Sequence, residues 1–367
     1  MSATVQPSHQ ATEATGTVSV RQIASNDTAK WEEFLAKSTG ANLYHTPAWR
    51  DVVAECFRHT PVYLLSERAN QVTGVLPLFL IRNPFLGCKL ISMPYDIGSG
   101  GAIAADHESE RALVAQAVVI ARDYGAKFIE LRPSRPQPVL AELGFRHSEP
   151  VIISDMELGA GETAVWERVS KDHMKAIRKA KTRGVEVRVA NTRRDFHDFY
   201  AVYLEVFRAF GTPPYGSRYF ELLHDKLHPS AAVKLFTAHV DGRCVGGLQL
   251  FCWGKNLVSK FAACLPEAVP LRAYPALYAA AIEFGVTAKY ETLSWGTSSR
   301  AQKGLIEFKE GWGATSRAAQ IYSMPIRGAA PDLGKYYDGD ALPQRVWRKL
   351  PLSWTRVMGQ PLNRWFC

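Results

Sequence analysis

The 367-residue chain has little that would let it cross a membrane, bind a structural metal or form a disulfide framework. No stretch reaches the roughly 18 consecutive apolar residues that a spanning helix needs. Met1 to Thr17 has no Lys or Arg and no apolar run of signal-peptide length. Rich in Ser, Thr, Ala and Gln, it reads as a flexible tail, and the protein is expected to stay in the cytoplasm. Six cysteines (Cys56, Cys88, Cys244, Cys252, Cys264 and Cys367) form no Cys-x-x-Cys pair and no Cys/His cluster at zinc spacing. Most read as small apolar fillers, and no metal is expected. The Gly-x-Ser-x-Gly nucleophile elbow is also missing, and no cysteine has a recognisable catalytic context, so chemistry through a covalent enzyme intermediate is disfavoured.

What is present is globular in character: 47% hydrophobic and 22% charged residues, in a chain long enough for two cores. The net charge of +9 is uneven. Between Val165 and Arg194 there are ten Lys/Arg against three acids, an excess of seven. Such a cluster attracts a polyanion: tRNA, a nucleotide-linked sugar, a lipid pyrophosphate or an anionic membrane. A solvated basic helix face accounts for it equally well. A second biased segment, Ala341 to Cys367, has five Lys/Arg and no acid, interleaved with Trp347, Trp354, Trp365 and Phe366. That composition suits a membrane interface, or packing against the rest of the protein. Pro351 and Pro361 are expected to break it into short pieces.

Periodicity gives two halves of similar order. The first has a strand at Val18–Ile23, helices at Lys30–Lys37 and Pro47–Cys56, and strands at Pro61–Glu67 and Gln71–Ile81 across the turn Arg68-Ala69-Asn70. A strand at Leu90–Pro94, a helix at Glu108–Tyr124 and a strand at Phe128–Leu131 follow. Thr46 reads as an N-cap with Pro47 in the first turn. The second half has one helix at Trp166–Thr182, a strand at Val185–Ala190 and a helix at Asp195–Phe210 stopped by Gly211-Thr212-Pro213-Pro214. Strands then run over Val233–Val240 and Cys244–Trp253, joined at Asp241-Gly242, and over Leu257–Ala263. A helix at Tyr274–Phe284 and a strand at Thr292–Trp295 complete it.

The stretch Gly304-Leu305-Ile306-Glu307-Phe308-Lys309-Glu310-Gly311-Trp312-Gly313-Ala314 sets one lysine among aromatics, and reads as the end of a strand. It resembles the F-K-x-x-[WF]-G signature of the FemAB-like branch of the GNAT acyltransferases. Lys171 to Lys181, followed by Gly184-Val185, is similar to that family's basic helix, R-x-x-I-R-K-A-x-x-x-G-V. Gly211-Thr212-Pro213 matches its G-T-P loop, with Arg218-Tyr219-Phe220 in the usual place, and Tyr274-Pro275-Ala276-Leu277-Tyr278 opens a helix where relatives open one. The tail from Trp347 to Leu362 resembles FemAB-related proteins associated with exosortase and PEP-CTERM exopolysaccharide systems.

The resemblance implies an α/β (α+β) fold of tandem GNAT-like domains, each a mostly antiparallel sheet flanked by helices. The first is expected at 18–160 and the second at 161–325, between the tail at 1–17 and a basic, aromatic tail at 326–367. It also implies transfer of an acyl or aminoacyl group to an amine, with Lys309 polarising the acyl carbonyl. Asp96 and Tyr274 are candidates for the proton acceptor, beside an amine that arrives already deprotonated. Lys175, Arg178, Arg218, Ser298 and Arg300 are candidates for binding substrate.

No bound cofactor is implied. The donor would be acyl-CoA or aminoacyl-tRNA, and the acceptor a glycan or lipid-linked sugar. Two departures bear on substrate choice. Where relatives often have F-D-F-G-R-S, this chain has Leu293-Ser294-Trp295-Gly296-Thr297-Ser298, leaving Arg300 and Lys303 as replacement cations. The [RQ]-x-x-G-x-[GA] loop that cradles a CoA pyrophosphate has no clear copy before Tyr274. The inserted coiled-coil arm of many Fem ligases is also missing, which argues against a peptidoglycan bridge ligase. A non-catalytic GNAT-fold binding partner of the exopolysaccharide machinery is the alternative, and nonspecific nucleic-acid binding ranks last.

Overall fold

The computed structural model describes residues 16–84, 87–328 and 342–365. The expectation for Met1–Thr17 therefore lies almost wholly outside the described residues, as do Phe366 and Cys367. Two mostly antiparallel sheets, each flanked by helices, form the framework, as the sequence led us to expect.

The first sheet runs in the order Ser19–Gln22, Thr60–Arg68, Gln71–Asn83, Gly87–Ile91, Phe128–Leu131, Ile321–Pro325, Arg146–Ser148, with Ile103–Ala104 beside the third strand. The second runs Glu186–Val189, Val233–Val240, Arg243–Trp253, Asn256–Cys264, Thr292–Ser299, Val151–Glu157, Thr315–Ala318. The leading hairpin of each closes through two residues of positive φ, Ala69 and Asn70 in the first sheet and Asp241 and Gly242 in the second. This is the turn whose twist matches that of paired strands. Among the described residues each sheet has one parallel strand pair, Gly87–Ile91 with Phe128–Leu131 and Asn256–Cys264 with Thr292–Ser299. A long helix precedes the second strand of each pair, His107–Asp123 and Ala273–Thr287 respectively.

The halves exchange strands. Val151–Glu157, early in the chain, pairs with Thr292–Ser299 and Thr315–Ala318 in the second sheet. Ile321–Pro325, late in the chain, lies between Phe128–Leu131 and Arg146–Ser148 in the first. The largest core is accordingly shared: Tyr44 and Trp49 pack edge-on against Phe251 with ring centroids 5.6 and 5.3 Å apart. A second core lies under helix His107–Asp123, where Leu113, Ala117 and Ala121 meet Leu64, Leu76 and Ile129.

Three local expectations need correction. The single helix over Trp166–Thr182 is two, Glu162–Glu167 and Lys171–Thr182. The break is at Ser170, whose hydroxyl accepts from His173 N–H (3.3 Å) as an N-cap while its own N–H donates to Gly311 O (2.8 Å). Lys309 lies on a helix, Lys303–Glu310, and not at the end of a strand. Leu305, Phe308, Lys309 and Trp312 follow i, i+3, i+4, i+7 spacing, a helical face that Gly311 and Gly313 terminate.

The third correction concerns the tail, where Pro361 does not break the chain but sits inside helix Leu352–Trp365, which follows helix Leu342–Arg348. Both tail helices pack on helix Arg193–Phe210, and the second also reaches helix Pro47–Phe57. The Gly211–Pro214 loop and its neighbours hold the second helix in place. Asn363 Nδ2 donates to Pro213 O (2.7 Å) and Pro214 O (2.9 Å), and Gln360 takes Gly216 N–H (2.6 Å) while donating to Cys56 O (2.7 Å). With these bonds satisfied, the neighbouring elements stabilise the helix despite its proline.

Candidate active site

Strands Asn256–Cys264 and Thr292–Ser299 pair only over their first three residues, ending at Val258 and Ser294. Irregularities on both sides let them part. Opposite Arg243–Trp253, Lys260 is the extra residue of a bulge, since Ser259 faces Leu250 and Phe261 faces Gln249. On the other strand the pairing with Val151–Glu157 shifts between Ser294 and Thr297, around Gly296 at φ +69°. A cavity of about 830 Å³ fills the split. Ser259, Lys260 and Ala262 line one wall and Trp295 and Thr297 the other. Tyr274, Tyr278, Phe308 and Lys309 contribute from the flanking helices, and Gln344 and Arg348 from the C-terminal segment.

Lys309 is 4% exposed, and its ammonium donates to Gly296 O (3.0 Å) and Thr297 O (3.1 Å) at the point where the strands separate. Those carbonyls take two of its three N–H bonds. Burial lowers its pKa from the usual lysine value to about 8, with the charge of Asp155 opposing the change. At neutral pH the ammonium form of Lys309 therefore predominates. Tyr278, Trp295 and Phe308 line the cavity with it, and the rings pack together, Tyr278 4.3 Å from Trp295 between centroids and Trp295 5.6 Å from Trp312. Beside this apolar wall the field of the ammonium on anything that enters is stronger than in bulk water.

Tyr274 lines the same cavity, and its hydroxyl accepts from Cys264 N–H (3.1 Å). Burial pushes its pKa up to about 12, so it is a phenol at neutral pH. Asp96 lies in a neighbouring cleft of about 260 Å³. Its Oδ2 accepts from Tyr44 OH (2.5 Å) and Lys260 Nζ (3.2 Å), and its Oδ1 from Ser99 OH (2.8 Å). Lys260 Nζ also donates to Tyr95 O, so this side chain lines the cavity and ties it to the first half. Sequence reasoning missed Lys260. The available signal was a single cation within the apolar run Leu257–Ala263.

The other candidates lie elsewhere. Ser298 is buried, with its hydroxyl lacking a hydrogen-bond partner among the described residues. Arg300 holds Glu149, at 2.8 Å to the backbone O and 3.4 Å to the carboxylate. Arg218 is exposed and sits 3.5 Å from Glu55 and 3.6 Å from Glu221. Lys175 and Arg178 are exposed on helix Lys171–Thr182, Lys175 being 3.6 Å from Asp172. Among the described residues, no group of His, Cys, Asp and Glu is placed to hold a metal ion.

Residues 167–310, which supply most of this site, match the family model of the acetyltransferase (GNAT) domain. Solved structures repeat the whole architecture at low identity. FemX superposes with a TM-score of 0.69 at 14% identity, covering 84% of this chain and 98% of its own. L-PGS from Bacillus licheniformis gives 0.58 at 11%, covering 88% and 98%. A tandem GNAT protein from the clavulanic acid biosynthesis pathway gives 0.53 at 11%, covering 86% and 100%. No curated protein matches the chain. The fold is therefore a tandem GNAT fold, with the matched acetyltransferase domain in its second half.

Proposed function

We propose that the protein is an N-acyltransferase that moves an acyl or aminoacyl group onto an amine of an amino sugar or lipid-linked precursor in exopolysaccharide or cell-envelope biosynthesis. One observation carries the reading: a buried, mostly protonated Lys309 faces an 830 Å³ cavity at the parting of two parallel strands. The acceptor amine attacks the donor's carbonyl carbon, an N–C bond forms, and the negative charge gathers on the carbonyl oxygen. The Lys309 ammonium, with two N–H bonds fixed by Gly296 and Thr297, offers the third to that oxygen. A pre-oriented cation stabilises this charge more than it does the ground state. The tetrahedral intermediate then collapses, the C–O or C–S bond to the carrier breaks, and the carrier's oxygen or sulfur takes up the proton shed by nitrogen.

Of the two candidate bases, Tyr274 lines the cavity but keeps its own proton at neutral pH. Asp96 lies outside the cavity with both oxygens engaged, so we assign it a positioning role. The amine is best supplied already neutral. For the donor, Pro275 at the third position of helix Ala273–Thr287 removes one of the N–H groups that a CoA pyrophosphate would use, which favours aminoacyl-tRNA over acyl-CoA. Lys175 and Arg178 on the exposed basic helix are our candidates for its phosphates. Exopolysaccharide as the pathway rests on the resemblance of the tail alone.

Lys309's bonds to two backbone carbonyls also support the second reading, a non-catalytic binding partner in which the lysine is a structural tie. Mass spectrometry of extracellular polysaccharide from cells with wild-type protein, no protein or Lys309→Ala separates the two. Loss of an N-linked acyl mass in both altered strains, with polymer still made, supports transfer. Full restoration by Lys309→Ala would put the binding partner first.

A further inference from the structure

Helix Leu352–Trp365 is built inside out. Toward the protein it turns small and amide side chains: Thr355 and Gly359 are buried, and Gln360 and Asn363 make the bonds to Gly216, Cys56 and the Pro213-Pro214 backbone. The fit is close, since a Cβ at Gly359 would lie 2.5 Å from Pro214 O. Toward solvent it presents Trp354 (60% exposed), Val357 (72%) and Met358, at i, i+3 and i+4, with exposed Pro361 at i+7. Val346 on the preceding helix is exposed as well. Single exposed apolar residues are ordinary, but a helical stripe that includes a tryptophan marks an interaction surface.

Charge decides what covers it. From residue 342 to 365 there are five cations, Arg345, Arg348, Lys349, Arg356 and Arg364, and no carboxylate. A protein groove would account for the stripe without requiring one sign of charge, and a nucleic acid would account for the charge without requiring Trp354, Val357 and Met358. An anionic bilayer uses both: rings and aliphatic side chains enter the headgroup region while exposed cations such as Lys349 and Arg356 meet lipid phosphates. The preceding helix Leu342–Arg348 reaches the candidate site, because its Gln344 and Arg348 line the Lys309 cavity together with the exposed apolar residues Phe210 and Leu305.

We infer that the two C-terminal helices dock the protein on an anionic membrane surface and hold the mouth of the Lys309 cavity at headgroup level. The acceptor would then be an amphiphile that stays anchored in the bilayer while its polar amine reaches the cavity. The identity of the acceptor rests on the acyltransferase reading, but docking does not.

The test is flotation of the full-length protein with phosphatidylcholine vesicles, with and without phosphatidylglycerol. Four proteins are compared: wild type, a Trp354→Ser/Val357→Ser double variant, Val119→Ser on an exposed face of the first half, and Lys309→Ala. Because Trp354 and Val357 are exposed, the double variant should melt with wild type. The expected result is flotation only with the anionic vesicles, weakened at least tenfold by the double variant and by high salt, and unchanged by Val119→Ser or Lys309→Ala. Equal flotation of wild type and the double variant, or none by wild type, overturns the proposal. So does a dimer in sedimentation that the double variant abolishes without any lipid binding. Intact docking with a Lys309→Ala protein that still restores the polysaccharide would instead sink the acyltransferase reading and leave the membrane surface standing.

Discussion

In the first sheet the parallel strands Gly87–Ile91 and Phe128–Leu131 stay stitched beyond their last pair. Ser92 N–H donates to Glu130 O (2.9 Å), Ser92 OH accepts from Arg132 N–H (2.9 Å), and Gly100 N–H donates to Arg132 O (2.8 Å). The buried Arg132 guanidinium donates to the Glu130 carboxylate (2.6 Å), Met93 O (3.2 Å) and Asp96 O (2.9 Å). In the second sheet the corresponding strands part; Lys260 in one wall of the split is paired with Asp96, whereas Lys309, among the described residues, bonds only to carbonyls. A buried cation given a carboxylate and fixed acceptors closes a gap. One hydrogen-bonded to carbonyls rather than to a carboxylate, beside open space, keeps its field for a ligand, and burial lowers its pKa even against the charge of Asp155.

Substitutions at the two cations should therefore act in opposite ways. Arg132→Met leaves Glu130 buried and unpaired, and should cost about 3–5 kcal/mol of stability in denaturant unfolding. A loss below about 1 kcal/mol would mean that the first split is not held shut by this pair. Lys309→Met should do the reverse. Turnover is expected to fall by about 10²–10³-fold, or roughly 3–4 kcal/mol, with the melting temperature unchanged or raised. A melting temperature that falls together with activity would make Lys309 a structural tie like Arg132.

Lys260 joins the two halves and should give an intermediate effect. Lys260→Met leaves Asp96 with Tyr44 and Ser99 but no cation, and should lower stability by about 2 kcal/mol. Paired with Asp96→Asn in a double-mutant cycle, the losses should be less than additive, and strict additivity would mean that the two do not interact.

The last effect is on pH dependence. Lys309 is lowered in the folded state to about 8 from 10.5, so between these values the unfolded chain binds more protons than the folded one. This group therefore penalises folding fully below pH 8, and the penalty lifts as pH rises toward 10.5. Wild type should gain stability relative to Lys309→Met between pH 8 and 10, measured by chemical denaturation at each pH. Lys309-dependent turnover should fall over the same range, and a turnover profile flat to pH 10 would exclude the ammonium as the active form.

Much of the framework is legible in short stretches of sequence. Asp241-Gly242 specifies a hairpin because both residues tolerate positive φ, and Thr46 before Pro47 starts a helix because its hydroxyl accepts from Trp49 N–H. The lysine flanked by aromatics was legible as a residue of interest, but its helix was not, since three residues of turn after Ser299 were enough to restart a different periodicity. Arg132 drew no notice because nothing local marks a guanidinium that will be buried. Val151–Glu157 and Ile321–Pro325 offered only short apolar runs, and their exchange between sheets depends on partners more than a hundred residues away.

Turns, caps, two halves of similar order and a lysine among aromatics could be read locally, because each of these depends on backbone preferences and spacings within about ten residues. The tertiary structure decided which parallel pair stays closed and which opens, that Asp96 is tied to Lys260 outside the cavity, and that the tail turns Trp354 outward. Those outcomes depend on burial and on which charges meet, and both are properties of contacts between distant segments.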